Sequence, residues 1–435
     1  MGEFMKLKDK IQLPSWIKLD NAATIYPPTL TKRYASMFRM TISLTEKVDK
    51  SILEQAMNNI IERFPAFRYR LKQGLFWYYF KYNNGVPEIQ EDYKNPLVRI
   101  NFKKNKGFMF RIRYFDKKIS IEYFHALTDG TGGITFLLTL TAEYLKLKHN
   151  IKINYTDKIL NPKDIPTKEE YSDSFKKYAR KLGILEKESV AFHQKGTAEE
   201  KHVLNIITGI IPIKELKTKC KEYNCTVTQF LTSLMILSYQ EIQDNQYKTQ
   251  KKKKPIKVCI PINLRKLYPS NTMRNFSSYA NIGIDPKYGK YTLEEIIKIV
   301  KNNMELIFSE KIINAKITAN VNLAKNYFIR LIPMFVKKHI LSTAEFLMGD
   351  RYCTTTFSNI GQIDLPEEIE PYIKDMGFLI GRSRNKPGSC SAISCKGKLY
   401  ITCTRKIKET EFERLFFTKL IEMNIPVTIE SNIGR

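Results

Sequence analysis

The stretch His125-Ala126-Leu127-Thr128-Asp129-Gly130 constrains this chain more than any other, because a strand pattern ends there and a helix pattern begins. From Lys118 to His125 the residues alternate. Ile119, Ile121, Tyr123 and His125 share one face, and Ser120, Glu122 and Phe124 the other. The alternation sends His125 to the apolar side, into the protein. From Thr131 to Lys148 the spacing of Ile134, Leu137, Leu138 and Leu145 predicts a helix. Two readings fit this junction. In one, a buried His is satisfied by a backbone carbonyl and Asp129 caps the next helix. In the other, His125 is a general base held rigidly at a strand end beside its positioning group. The rest of the chain has to decide.

Before the junction, the pattern predicts a strand over Tyr34 to Leu44 and a helix over Asp49 to Phe64, ended by Pro65. Short strands follow at Phe67 to Leu71, Phe76 to Tyr82 and Phe110 to Phe115. A turn at Asp116-Lys117 then feeds the His125 strand. Regular patterning weakens over 161–200, which reads as an exposed crossover linker holding a short helix, Tyr171 to Leu182. The second half opens like the first. A strand at His202 to Ile213 leads to helices Lys214 to Tyr223 and Gln229 to Ile242, the latter capped by Thr226. Then come a strand from Ile256 to Pro261 and helices Leu293 to Phe308 and Ile317 to Leu331. Strands Thr354 to Asn359, Gly377 to Gly381, Ser391 to Cys395 and Lys398 to Arg405 precede a last helix, Lys408 to Asn424. The expected class is α+β: an N-terminal lobe over 5–160, a C-terminal lobe over 201–435, and a cleft between them.

Bulk properties narrow the function. At 435 residues the chain exceeds one ordinary core. No window has about 18 consecutive apolar residues, so no transmembrane segment is expected. Met1-Gly2-Glu3-Phe4-Met5 lacks a secretory pattern, and Lys6 stands where a myristoylation signal needs Ser or Thr. Met1 to Phe4 reads as an expression scar, and a cytoplasmic protein is expected. Seven cysteines include the pairs Cys220/Cys225 and Cys390/Cys395, but neither has a His close in sequence. Reduced core thiols are expected, and no metal site. The net charge of +28 is spread along the chain, with one lysine run at Lys251 to Lys254. Nucleic-acid binding is therefore disfavoured, whereas a phosphorylated cofactor handle or an acidic carrier protein suits such a surface.

Three segments together resemble the chloramphenicol-acetyltransferase-like superfamily, which includes alcohol acetyltransferases, plant acyl-CoA-dependent acyltransferases and the condensation domains of nonribosomal peptide synthetases. His125 to Gly130 matches its His-x-x-x-Asp-Gly. Pro261-Ile262-Asn263-Leu264-Arg265, followed by Asn275-Phe276, is similar to its Pro-x-x-x-Arg segment and later Gly-Asn, with Arg274 in place of the Gly. Phe357-Ser358-Asn359-Ile360-Gly361 resembles the Ser-Asn-x-Gly strand of the alcohol-acetyltransferase-like members. The likeness covers nearly the whole chain.

The resemblance implies two lobes, each a mixed sheet flanked by helices, with an active-site tunnel at their interface. It implies direct acyl transfer from a thioester in a ternary complex, without an acyl-enzyme. The donor would be acyl-CoA or an acyl carrier protein, with no permanently bound cofactor. His125 would be the base for the acceptor's proton. Asp129 would pair with Arg265 to fix the turn, and Gly130 would leave room for close backbone approach. Ser358 or Asn359 would donate to the oxyanion or, in the alternative, make only strand-end hydrogen bonds; Asn275 would face the tunnel. The residue before His125 is Phe124, where amide-forming condensation domains carry a second His, and the plant Asp-Phe-Gly-Trp-Gly segment is absent. A stand-alone, monomeric O-acyltransferase acting on a small-molecule alcohol is therefore expected. The alternatives are a non-catalytic relative that keeps the fold as a binding scaffold, and an N-acyl condensation enzyme.

Overall fold

The strand that delivers His125 is the middle one of a five-stranded sheet in the computed structural model, which describes residues 13–31, 34–92, 95–184, 188–200, 203–326, 330–340 and 350–432. Numbered in chain order, the strands of the first half are β1 (Trp16–Lys18), β2 (Met37–Leu44), β3 (Tyr69–Gln73), β4 (Tyr78–Tyr82), β5 (Ile89–Glu91), β6 (Phe110–Phe115) and β7 (Lys118–Phe124). Helices α1 (Lys50–Ile60) and α2 (Gly130–His149) pack against each other and against this sheet. Asp49 starts α1 by accepting the Ile52 N–H at 3.1 Å, and the stripe Leu53, Ala56, Met57 and Ile60 is buried. β6 and β7 form a hairpin turned at Asp116, whose φ of 48° a short polar side chain tolerates.

β7 is buried on both faces. Ile119, Ile121 and Tyr123 enter the apolar core, as the alternation predicts. The opposite face is not solvated. Glu122 is 0 % exposed and is held by Arg39, Arg111 and Arg113, and by the Leu97 N–H at 2.6 Å. A buried carboxylate requires such a cage, since desolvation alone would expel it.

The second half contains β8 (Asn205–Pro212), β9 (Ile256–Asn263), β10 (Ser277–Ile284), β11 (Thr355–Ile363), β12 (Ile373–Ile380), β13 (Gly388–Cys395), β14 (Lys398–Arg405) and β15 (Thr428–Ser431). Seven of these form one sheet in the order β10-β9-β11-β13-β14-β8-β15. Its helices are α3 (Ile213–Glu222), α4 (Val227–Gln246), α5 (Leu293–Ile307), α6 (Glu310–Lys325) and α7 (Glu411–Glu422). Thr226 caps α4 in a reciprocal box with Gln229. The exception is β12, which crosses over and pairs antiparallel with β2 in the first sheet. Ile373, Met376 and Phe378 enter the first core, each worth roughly 1.5–3 kcal/mol of apolar burial. The halves are thus α+β lobes with one core each, interlocked by an exchanged strand.

Two expected helices differ. Tyr171 to Leu182 holds only a turn at Phe175–Tyr178, after which Ala179 is extended. Bonds to α6 replace the helical ones there: Arg180 N–H to Thr318 Oγ1 at 2.8 Å, and Asn314 Nδ2 to the Tyr178 carbonyl at 2.8 Å. The helix expected at Ile317 to Leu331 starts earlier, at Glu310, because Ile313, Ile317 and Val321 together form its buried stripe. Part of its expected end, like Met1 to Phe4 and the His202 start of a predicted strand, lies outside the described residues. Among the described residues no helix is long and apolar enough to cross a membrane.

Candidate active site

β7 ends at Phe124, and the backbone turns through His125, Ala126 and Leu127. The Leu127 N–H returns to the Phe124 carbonyl, and the His125 N–H donates to Ser36, each at 2.9 Å. Asp129 then opens α2 as its N-cap. Its Oδ1 accepts the N–H groups of Thr131 at 3.1 Å and Gly132 at 3.2 Å. Its Oδ2 accepts Arg265 Nη1 and the Phe276 N–H, both at 2.8 Å. One carboxylate therefore ties the start of α2 to the loop between β9 and β10. Arg265 completes that loop by donating to the carbonyls of Thr272 at 2.7 Å and Arg274 at 2.8 Å.

The loop brings Asn275 to the imidazole. Asn275 Oδ1 lies 3.1 Å from His125 Nδ1, while its amide nitrogen faces the Ala126 carbonyl at 3.4 Å. With the oxygen turned to the ring, Nδ1 carries the proton and Nε2 keeps its lone pair. Tyr26 stacks on the ring at 4.7 Å and 15°, and Phe38 meets it edge-on at 5.2 Å. Burial holds the His125 pKa below the ordinary imidazole value; its own carbonyl, Asp129 and Asn275 oppose that shift without cancelling it. The shift favours the uncharged imidazole.

The third segment closes over the same helix start. A Cβ on Gly130 would lie 2.6 Å from Ile360 Cδ1, so Ile360 of β11 packs on the first turn of α2. Beside it β11 carries a bulge between Asn359 and Gln362, where Gly361 has φ +88°. Asn359 uses its oxygen on the Gly361 N–H at 2.9 Å and its amide on Thr228 at 3.2 Å. The structure thus gathers His125, Asp129, Gly130, Arg265 and Asn275 into one contact network. Ser358 and Asn359 make no hydrogen bond to His125 among the described residues.

No family model and no curated protein matches the sequence. Solved structures do match along nearly the whole chain. The epimerization domain from the third module of tyrocidine synthetase B is 13% identical, with TM-score 0.59 over 94% of this chain and 95% of that one. A trichothecene 15-O-acetyltransferase from Fusarium sporotrichioides is 11% identical, with TM-score 0.58 over 94% of each chain. A variant starter condensation domain of rhizomide synthetase, in complex with C8-CoA, is 12% identical, with TM-score 0.58 over 94% of this chain and 95% of that one. The chain has the chloramphenicol-acetyltransferase-like fold.

Within that fold, four features of this chain escape sequence reading. Tyr26 and Phe38 sandwich the imidazole from segments about 90 to 100 residues upstream. A Cβ on Gly132 would lie 2.3 Å from the Met273 carbonyl oxygen, a closer approach than at Gly130. Arg274, standing where the resemblance leads one to expect Gly, donates to the Lys18 carbonyl at 2.9 Å, pairs with Asp20 at 3.3 Å and lies over the Phe80 ring. Asp20 is fully buried, and that burial pushes its carboxyl up to about 6 against the pull of Arg274. Phe38 follows the ordinary alternation of β2 and Tyr26 opens a short helical turn before Pro27-Pro28, so nothing local marks either as a partner of His125. All seven cysteines are free thiols, and no group of three His, Cys, Asp or Glu among the described residues could hold a metal.

Proposed function

We propose that the chain is an acyltransferase that moves an acyl group from a thioester to an alcohol, with His125 as the general base. The observation that carries this reading is the contact of His125 Nδ1 with Asn275 at 3.1 Å, which leaves Nε2 as acceptor in a ring kept neutral by burial. The acceptor hydroxyl attacks the thioester carbonyl carbon as its proton passes to Nε2. The tetrahedral oxyanion then collapses, the C–S bond breaks, and the leaving thiolate takes the proton back from Nε2. Ester and free thiol result, and no cysteine of the enzyme is acylated. Ser358 is the stronger oxyanion donor, because both ends of the Asn359 amide already have partners. Asp129 and Arg265 position the turn without touching the reacting atoms.

The donor is read as acyl-CoA or an acyl carrier protein, both of which carry phosphate. A small surface cleft, about 30 Å³, is lined by Ser36, Leu97, Leu204, Gly381 and Arg382, and Ser36 is the residue whose carbonyl holds the His125 backbone. Arg382 Nη2 is buried there without a hydrogen-bond partner among the described residues. Such a cation suits a phosphate. The bound C8-CoA of the rhizomide synthetase domain and the O-acetyl transfer in the Fusarium enzyme's name support the same reading. Lobes over 5–160 and 201–435, joined through 161–200, would then supply His125 with Asp129, and Arg265 with Asn275, respectively. A cytoplasmic setting is supported by the chain's free thiols.

The test is His125→Ala in a thioester-consumption assay with alcohol and amine acceptors. Turnover should fall by about 10²–10⁴-fold with the unfolding transition retained. Undiminished turnover in the folded variant would overturn the assignment, and a response to amines alone would favour the amide-forming alternative that the condensation-domain structures support.

A further inference from the structure

The chain contains two tryptophans, and both lie on its surface, each 50% exposed. They belong to one small element, the three-stranded sheet in the order β1-β4-β3. Its inner face packs Phe80 against the first core. On its outer face, the pairing of Trp16 with Lys81, Lys18 with Tyr79, and Tyr79 with Lys72 sets aromatic rings among lysines. Trp16 meets Tyr79 edge-on at 6.3 Å. None of these outward positions is acidic.

The hairpin tip extends this face with apolar side chains. Gly74 N–H closes the turn on the Trp77 carbonyl at 2.8 Å, leaving Leu75 68% exposed. A helical segment over 334–340 is pinned to the tip from the other half of the chain. Met334 N–H donates to the Leu75 carbonyl at 2.7 Å, and Lys337 Nζ to that of Phe76 at 2.8 Å. The docking brings to the same tip Phe335, 67% exposed and one residue after Met334, with Lys338 in the next turn. Large apolar side chains so exposed, rimmed by one sign of charge, mark an interaction surface.

We propose that this surface binds an anionic lipid bilayer. Tryptophan and lysine at the rim suit the headgroup layer, while Leu75 and Phe335 at the tip suit the acyl boundary below it. Lysines without acidic neighbours select negative headgroups, and the net charge of +28 adds attraction at longer range. A single-stranded nucleic acid would use the rings and lysines, but it offers nothing to Leu75 and Phe335. The surface also reaches the candidate site, since Arg274 donates to the Lys18 carbonyl one residue before Asn275. The inference stands on the exposed side chains and does not rest on the proposed chemistry.

Both tryptophans lie in the surface, so intrinsic fluorescence of the full chain reports on it alone. Vesicles of phosphatidylcholine with phosphatidylglycerol should shift the emission to the blue, and brominated acyl chains should quench it; pure phosphatidylcholine should give a much weaker response. Phe335→Glu should lower the vesicle partition coefficient by about tenfold or more, and Lys18→Gln with Lys81→Gln should remove the preference for the anionic lipid. Should a variant unfold, Leu75→Asp offers the same apolar test at the hairpin tip. An unshifted, unquenched emission in the presence of the anionic vesicles would overturn the proposal. So would a spectral change produced by oligouridylate and not by vesicles, which would assign the surface to nucleic acid.

Discussion

Asp129 and Arg265 lie 136 residues apart in sequence and meet at 2.8 Å between Oδ2 and Nη1. Neither charge is redundant. Asp129 also caps α2 and accepts the Phe276 N–H, and Arg265 also gathers the Thr272 and Arg274 carbonyls. The pair therefore sets where Asn275 meets His125, although neither of its members touches the imidazole.

Removing one partner leaves the other charge buried. Arg265→Ala should cost about 3–5 kcal/mol, read as a lower urea midpoint. Asp129→Asn keeps an oxygen for the helix cap and should be milder than Asp129→Ala, which loses cap and pair together. Equal losses for the two Asp129 variants would show that the cap contributes nothing.

Burial lowers the His125 pKa, and the proposed base requires its neutral form, so the acid limb of kcat/KM should fall below pH 6.5 and the neutral range should be flat. Asn275 stabilises the charged ring, so Asn275→Ala should move that limb to still lower pH while also lowering the plateau through loss of the tautomer lock. The stability sign follows the same shift. The unfolded imidazole binds its proton first, so the contribution of His125 is complete above about pH 6.5 and is lost as pH falls through the lower folded value. Stability compared with His125→Gln across that window measures it.

Much of this site could be read in the sequence because its chemistry is local. The alternation of β7 fixes the side to which His125 points, and Asp129 before a helix pattern is a cap in any fold. Arg265 and Asn275 were reachable only through the resemblance, since their distance from His125 is closed by the fold. Glu122 shows the other limit: a polar residue alternating with apolar ones reads as solvated, and only the three arginines converging from β2 and β6 reveal that it is buried. The β12 exchange was hidden for a related reason. A strand's pattern states how it is buried, and leaves open which sheet receives it.

Gly130 and Gly132 should differ sharply on substitution. A Cβ at Gly132 would approach the Met273 carbonyl oxygen to 2.3 Å and Thr128 Oγ1 to 2.2 Å, and the first of these is backbone held by the Arg265 loop. At Gly130 the obstacle is the end of Ile360, which can rotate away. Gly132→Ala should cost about 3 kcal/mol and Gly130→Ala about 1 kcal/mol, by thermal or urea unfolding. The reverse order would place the tight approach on the β11 side.

In the proposed reaction, Arg382 tests the donor's phosphate handle apart from its reacting end. It lies two residues after β12, and the Gly381 N–H donates to the Met37 carbonyl at 2.8 Å, which holds the backbone at Arg382 beside the segment that holds His125. Burial lowers its pKa against the pull of Glu199, and Nη2 has no hydrogen-bond partner among the described residues, so a phosphate there would gain a charge-assisted bond. Arg382→Ala should raise KM for a CoA thioester by about tenfold or more and leave kcat nearly unchanged, because the phosphate is bound alike before and during transfer. A thioester of N-acetylcysteamine lacks phosphate, so wild type and variant should consume it at the same rate. A KM increase with both thioesters would remove Arg382 from the phosphate and make it a structural support of β12.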